Sequence, residues 1–115
     1  MTLTRITYAA LAFAFATSAV AGSKGNPVAG KAKATTCAAC HGADGNTPID
    51  GTYPLLAGQH ADYLAKSLTE YKNGKRKNAI MAGQAAALTE QDIADLSAYF
   101  ASLPGTVHDL SGHQR

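Results

Sequence analysis

Apolar residues recur at helical spacing twice along this chain. Leu64, Leu68 and Tyr71 stand at i, i+4 and i+7, one face of a helix expected to begin near His60 and end about Lys72, ahead of Asn73-Gly74. Ile93, Leu96, Phe100 and Leu103 form the buried stripe of a last helix. Thr89 with Asp92 opens it as an approximate capping box, and Pro104-Gly105 closes it. Near the start, Asn26-Pro27 has the form of a helix beginning, with Asn26 as N-cap and Pro27 at the first helical position. The alanine- and lysine-rich stretch from Val28 to Thr36 then runs straight into Cys37. Gly42 to Pro48 is loop by composition, with turn residues continuing to Pro54, and a second loop carrying Lys75-Arg76-Lys77 leads to Met81. No segment alternates with a period of two and none repeats. The expected fold is all-α.

The first residues follow another pattern. Arg5 supplies a short positive start, Tyr8 to Ala16 is apolar and alanine-rich, and Ala19-Val20-Ala21 has the small-x-small form of a cleavage site. The apolar run falls short of the roughly 20 residues that a membrane span requires. Residues 1–21 are therefore expected to be a signal peptide cleaved after about Ala21. Residues 22–26 form a flexible lead-in, 27–104 one domain, and 105–115 a polar tail. Removing 21 residues from 115 leaves 94, and a chain of that size buries only about 60–65% of its unfolded surface. Without Arg5 the basic count falls from 10 to 9 against 8 acidic residues. That balance gives no basis for nucleic-acid binding or a polybasic membrane patch.

Cys37-Ala38-Ala39-Cys40-His41 carries the chemistry. C-x-x-C-H is the attachment signature of c-type haem, two thiols for covalent linkage and an imidazole for the iron. Cysteines three apart share one helical turn, so both sulfurs reach the vinyl groups of one porphyrin. His41, next in line, is directed to the metal from the same side. Three alternatives fit less well. A disulfide across two residues closes a loop too short to gain much chain entropy. A thioredoxin-like pair belongs beside a βαβ pattern that is missing here. A zinc site needs further ligands at spacings unlike these. Such a haem also supplies apolar core to a small chain.

The iron has a second axial position. Of the two methionines, Met1 leaves with the signal peptide, so Met81 is the one available thioether, in the loop from Asn78 to Gly83. A thioether favours the ferrous state. His60, at the start of the second helix, and His108 and His113, in the tail, are the competitors; each reads more simply as a surface residue.

These residues resemble a known family. Gly30-Lys31-Ala32-Lys33, the haem motif with Gly42-Ala43-Asp44-Gly45, Tyr53-Pro54-Leu55-Leu56-Ala57-Gly58-Gln59, Tyr63-Leu64, Met81-Ala82-Gly83, Leu88 to Ile93 and Ala98-Tyr99-Phe100 are similar to bacterial class I cytochromes c. The likeness is to one half of the dihaem, high-potential periplasmic members and covers about residues 28–104. It implies a small single-domain class I cytochrome c fold, with helices wrapped around one haem c. It implies that Pro54 offers its carbonyl to the His41 ring N–H, and that Gly30 lets the first helix cross the last opposite Tyr99 or Phe100. One haem motif stands here where the dihaem proteins carry two.

The expected function is a periplasmic single-haem electron carrier and not an enzyme. Expected partners are redox proteins such as a membrane cytochrome bc complex, a terminal oxidase or a dehydrogenase; no nucleic acid and no stable membrane insertion after signal removal are expected. Ala38, Ala39, Ala79, Ile80 and Ala82 would supply an apolar docking patch of the small kind used in redox encounters. Lys72, Lys75, Arg76 and Lys77 would steer an acidic partner. Two alternatives stand beside it: a haem subunit of a larger dehydrogenase or reductase, and a ligand-sensing or peroxidase-like protein with a labile sixth site.

Overall fold

Asn26 starts the first helix because its side-chain oxygen accepts from the Val28 and Ala29 N–H groups, at 2.9 and 3.2 Å. Pro27 follows at a position where no backbone donor is needed. The computed structural model describes residues 24–107; the expected signal peptide and the tail histidines His108 and His113 lie outside the described residues. Helix α1 covers Pro27–Lys33 and α2 covers Thr35–His41. The sequence predicts one run into Cys37, and the structure interrupts it at Ala34. Buried in the core with Leu64, Leu96 and Phe100, Ala34 turns the chain there. No glycine or proline marks that break, so tertiary packing imposes it.

Helix α3 spans Ala61–Lys72, with exposed His60 as N-cap and no side-chain capping bond. Helix α4 spans Ala79–Ala85, which corrects the expectation that Met81 sits in a loop. The Asn78 side chain accepts from the Met81 N–H at 3.0 Å, and the alanines after it propagate the turn. Helix α5 spans Glu90–Ser102, and both halves of its capping box form: the Asp92 N–H donates to the Thr89 hydroxyl at 3.1 Å, and the Thr89 N–H to the Asp92 carboxylate at 2.9 Å. Ile93, Leu96 and Phe100 are buried as the stripe predicts, while Leu103 at the cap is half-buried. Among the described residues there is no strand, and no helix is long and apolar enough to cross a membrane.

The α1–α5 crossing frames the domain. A Cβ on Gly30 would fall on the Asp95 carbonyl oxygen and 2.7 Å from Tyr99 Cβ, so the helices meet at backbone distance only with glycine there. Gly30→Val is expected to lose about 1–3 kcal/mol through overpacking, read as a lower denaturant midpoint. Charge locks the same crossing. Lys33 Nζ lies 2.7 Å from both Asp92 Oδ1 and Asp95 Oδ2, and buried Asp95 also accepts from the Asn26 N–H and the Gln91 side chain, each at 2.8 Å.

These bonds give a pH signature. The Lys33 ammonium first, then backbone and side-chain donors, hold the Asp92 and Asp95 carboxyls below their ordinary value of 3.8. Bonds from Asp92 and then Asp95 raise Lys33 above 10.5. The carboxylates contribute stability above the ordinary value and lose it as pH falls through their lowered folded values; Lys33 contributes below its ordinary value and loses it at higher pH. Urea midpoints should therefore stay level between about pH 5 and 8 and fall below about pH 4. Asp95→Asn should start from a lower midpoint and show a shallower acid decline.

Candidate functional site

Helix α2 places three chemical groups within four residues. At 3.6 residues per turn, Cys37 and Cys40 project about 60° apart and His41 about 40° from Cys37 on its other side, so all three share one face of about 100°. Both cysteines are free thiols, half-buried, and His41 is 5% exposed. Burial pushes the Cys37 thiol above its ordinary value, with a smaller push from Cys40. A reactive redox cysteine requires the opposite shift. Cys37 is therefore poorly suited to be a thioredoxin-like nucleophile.

The helix ends in a turn that returns the chain to the histidine. Gly42 adopts φ +86° while its N–H still bonds the Ala38 carbonyl at 3.0 Å. Asp44 accepts from the Asn46 N–H, the Thr47 N–H and the Thr47 hydroxyl, each at 2.8 Å; these donors, the Asn46 N–H first, hold its carboxyl below the usual range. The Gly45 carbonyl then receives the Leu56 and Ala57 N–H groups at 2.8 and 3.1 Å. Folded this way, the loop sets the Pro54 carbonyl oxygen 2.8 Å from His41 Nδ1. A carbonyl only accepts, so Nδ1 carries the proton and Nε2 keeps its lone pair for a metal. Tyr53 meets the ring edge-on, with centroids 6.1 Å apart at 87°.

One cavity of about 420 Å³ joins these elements, and Cys37, Cys40, His41, Pro54 and Met81 all line it. That is within the range of about 300–1,000 Å³ usual for cofactor sites. Leu64, Leu68, Leu96 and Phe100 form apolar wall, and Ile80, 57% exposed, marks the mouth. The buried Ser97 hydroxyl also lines the cavity and has no partner. Two thiols, a metal-ready imidazole, a thioether, apolar walls and an orphaned polar atom fit a covalently held haem. His60 is exposed and does not line the cavity.

The structure changes two surface expectations. Arg76 does not stand free beside Lys75 and Lys77. It is half-buried in the cavity wall, with its guanidinium 2.9 Å from the Ser67 hydroxyl and over the Tyr71 ring. Lys72 donates to the Leu88 carbonyl and stays exposed, as do Lys75 and Lys77. In the docking patch, Ala39, Ala79 and Ile80 are exposed and Ala38 and Ala82 half-buried. The sequence reading missed Tyr63, Ser67, Arg76 and Ser97 as lining residues. A signal existed for two of them, because Tyr63 and Ser67 precede the apolar Leu64 and Leu68 by one residue on the same helix.

The cytochrome c family model matches residues 27–104. Cytochrome c4 of Pseudomonas aeruginosa is 49% identical over 83 residues, covering 72% of this chain and 41% of that protein. Cytochrome c-554(548) of Halomonas halodenitrificans is 46% identical over 83 residues, 68% of this chain and 96% of that protein. The thiosulfate dehydrogenase electron acceptor of Thiomonas intermedia is 39% identical over 71 residues, 62% of this chain and 33% of that protein. The crystal structure of reduced recombinant cytochrome c4 from Pseudomonas stutzeri superposes with a TM-score of 0.67 at 40% identity, covering 72% of this chain and 48% of that one. The chain thus spans about half the length of the cytochrome c4 proteins it matches.

Proposed function

The chain belongs to the cytochrome c family, and from that premise we propose that it is a periplasmic single-haem electron carrier. The observation that carries this reading is the convergence of Cys37, Cys40, His41 and Met81 on one cavity, with His41 Nδ1 tied to Pro54. When bound, haem c supplies a reversible one-electron change at its iron. Cys37 and Cys40 hold the group through two thioethers, so it is not lost between encounters. His41 presents Nε2, and the Pro54 carbonyl fixes the ring and strengthens it as a donor. Met81 would hold the iron through its thioether, presented from the first turn of α4 by the Asn78 cap. With His41 and Met81 both holding the metal, the site would carry electrons and leave no place for a substrate there.

Transfer then belongs to the mouth of the cavity, where Ile80 is 57% exposed beside Ala79. A small apolar patch suits a brief, weak encounter. Exposed Lys75 and Lys77 favour an acidic partner, so reduction by that partner slows as salt rises. The dehydrogenase-related match supports a second reading, in which the chain serves a dehydrogenase as its fixed electron acceptor. Native co-purification with a second polypeptide selects that reading over a free shuttle. Removal of residues 1–21 on export gives the mature carrier a new N-terminus near Gly22, which intact mass reads directly. Potentiometric titration of the purified protein is expected to give one reversible one-electron wave and one iron per chain. Two waves, or turnover of peroxide by the protein, would contradict the proposal.

A further inference from the structure

Helix α3 presents two parallel strips to the cavity. Leu64 and Leu68 are apolar; Tyr63, Ser67 and Tyr71, spaced four apart, are polar, and all five line the wall. Arg76 closes the polar strip. One guanidinium nitrogen lies 2.9 Å from Ser67 Oγ, and two lie 3.4 Å from the Tyr63 hydroxyl. The guanidinium carbon stands 5.1 Å from the Tyr71 ring centroid, and the Arg76 N–H donates to the Glu70 carbonyl at 3.0 Å.

These contacts hold the side chain without neutralising it. No lining residue is Asp, Glu or Lys, and among the described residues no carboxylate lies within 4.0 Å of Arg76. Glu70, which is close enough for its charge to reach Tyr63, is 3.9 Å from Lys66 instead. A guanidinium has five N–H donors, and two of the three contacts made here are long. A half-buried cation without a counter-charge, set in an otherwise neutral wall, is suited to pairing with an anion. Haem brings two carboxylates on one edge of an apolar macrocycle, matching a wall that is apolar on one strip and polar on the next.

Resting on the haem reading above, we infer that Arg76, positioned by Tyr63, Ser67 and Tyr71, is the counter-charge for a haem carboxylate and a positioning residue that raises the reduction potential. A fixed positive charge in the wall stabilises the less positive, reduced iron, and a planar guanidinium suits a carboxylate partner.

The test is a redox titration at pH 8 of the holoprotein and three variants. Arg76→Gln should shift the reduced-to-oxidised ratio about tenfold toward oxidised at fixed poise, about 59 mV for one electron. Arg76→Lys keeps the charge and should stay within about twofold of wild type. The double change Tyr63→Phe with Ser67→Ala removes the seat and keeps the charge, so it should shift the potential in the same direction as Arg76→Gln, by less than about tenfold in the ratio. An unmoved potential in Arg76→Gln overturns the inference and leaves Arg76 a mechanical strap. If Arg76→Gln yields no folded holoprotein, a tenfold shift in Arg76→Lys overturns it, and a potential near wild type supports it. Visible spectra of the same samples report haem independently: a wild-type chain without haem defeats the functional reading, whereas a haem protein with an unmoved potential defeats only this one.

Discussion

Changing Cys37 and Cys40 together to alanine is expected to cost the protein its haem and, with it, most of its fold. The core explains why. Its buried apolar members are few, Ala34, Ala57, Leu64, Ala85, Ile93, Leu96 and Phe100, and no large side chain among the described residues is fully buried. The cavity sits among Leu64, Leu96 and Phe100. Without the haem, the apolar wall of Leu64, Leu68, Leu96 and Phe100 would face water in an open cavity, and a domain stable by only about 5–15 kcal/mol has little margin for that exposure. The double variant should release all pigment into acidified acetone and lose most of its helical circular dichroism. Either single variant keeps one thioether and should retain pigment at a lower melting midpoint. A double variant that stays helical without haem would show that the protein core suffices by itself.

Met81→Ala is expected to have the second largest effect. Met81 is the sole methionine after Met1, and both it and its Asn78 cap line the cavity. On the proposed ligation, loss of the thioether would remove the ligand that favours the ferrous state. At fixed poise the reduced-to-oxidised ratio should fall at least a hundredfold, about 120 mV or more, and the reduced variant should bind carbon monoxide that wild type refuses. Asn78→Ala should give a weaker version of both effects, since it loosens the turn that carries Met81 without removing the ligand. An unchanged potential in Met81→Ala would mean that another group completes the iron.

Much of this was legible in the sequence, and the remainder divides by physical cause. Asn26-Pro27, Thr89 with Asp92, and the stripes on α3 and α5 are local signals, and local structure follows them. The turn at Ala34 is invisible because alanine favours continuing the helix; burial against Leu64, Leu96 and Phe100 overrides that preference. Helix α4 was hidden by its length of seven residues and by Gly83 within it, although Asn78 announces its start. Arg76 is the instructive case. In sequence it sits in the run Lys75-Arg76-Lys77, which reads as a solvated charge cluster. Only the fold shows that Tyr63, Ser67 and Tyr71 form a seat for the middle member and turn it from solvent to the cavity wall.

The site follows the same division. Cys37, Cys40 and His41 are adjacent in sequence, so one helix suffices to group them. Pro54 and Met81 reach them only through the Gly42–Gly45 turn and the Asn78 cap, whose effects depend on tertiary arrangement. The contact of His41 Nδ1 with the Pro54 carbonyl, expected from family resemblance, is present at 2.8 Å.

The proposal that His41 and Met81 together close the iron of a single covalent haem is tested most directly by the absorption spectrum of the oxidised, purified protein. The expected result is a low-spin spectrum with a long-wavelength sulfur-to-iron band that disappears in Met81→Ala. A wild-type spectrum without that band, or a high-spin spectrum, would contradict it.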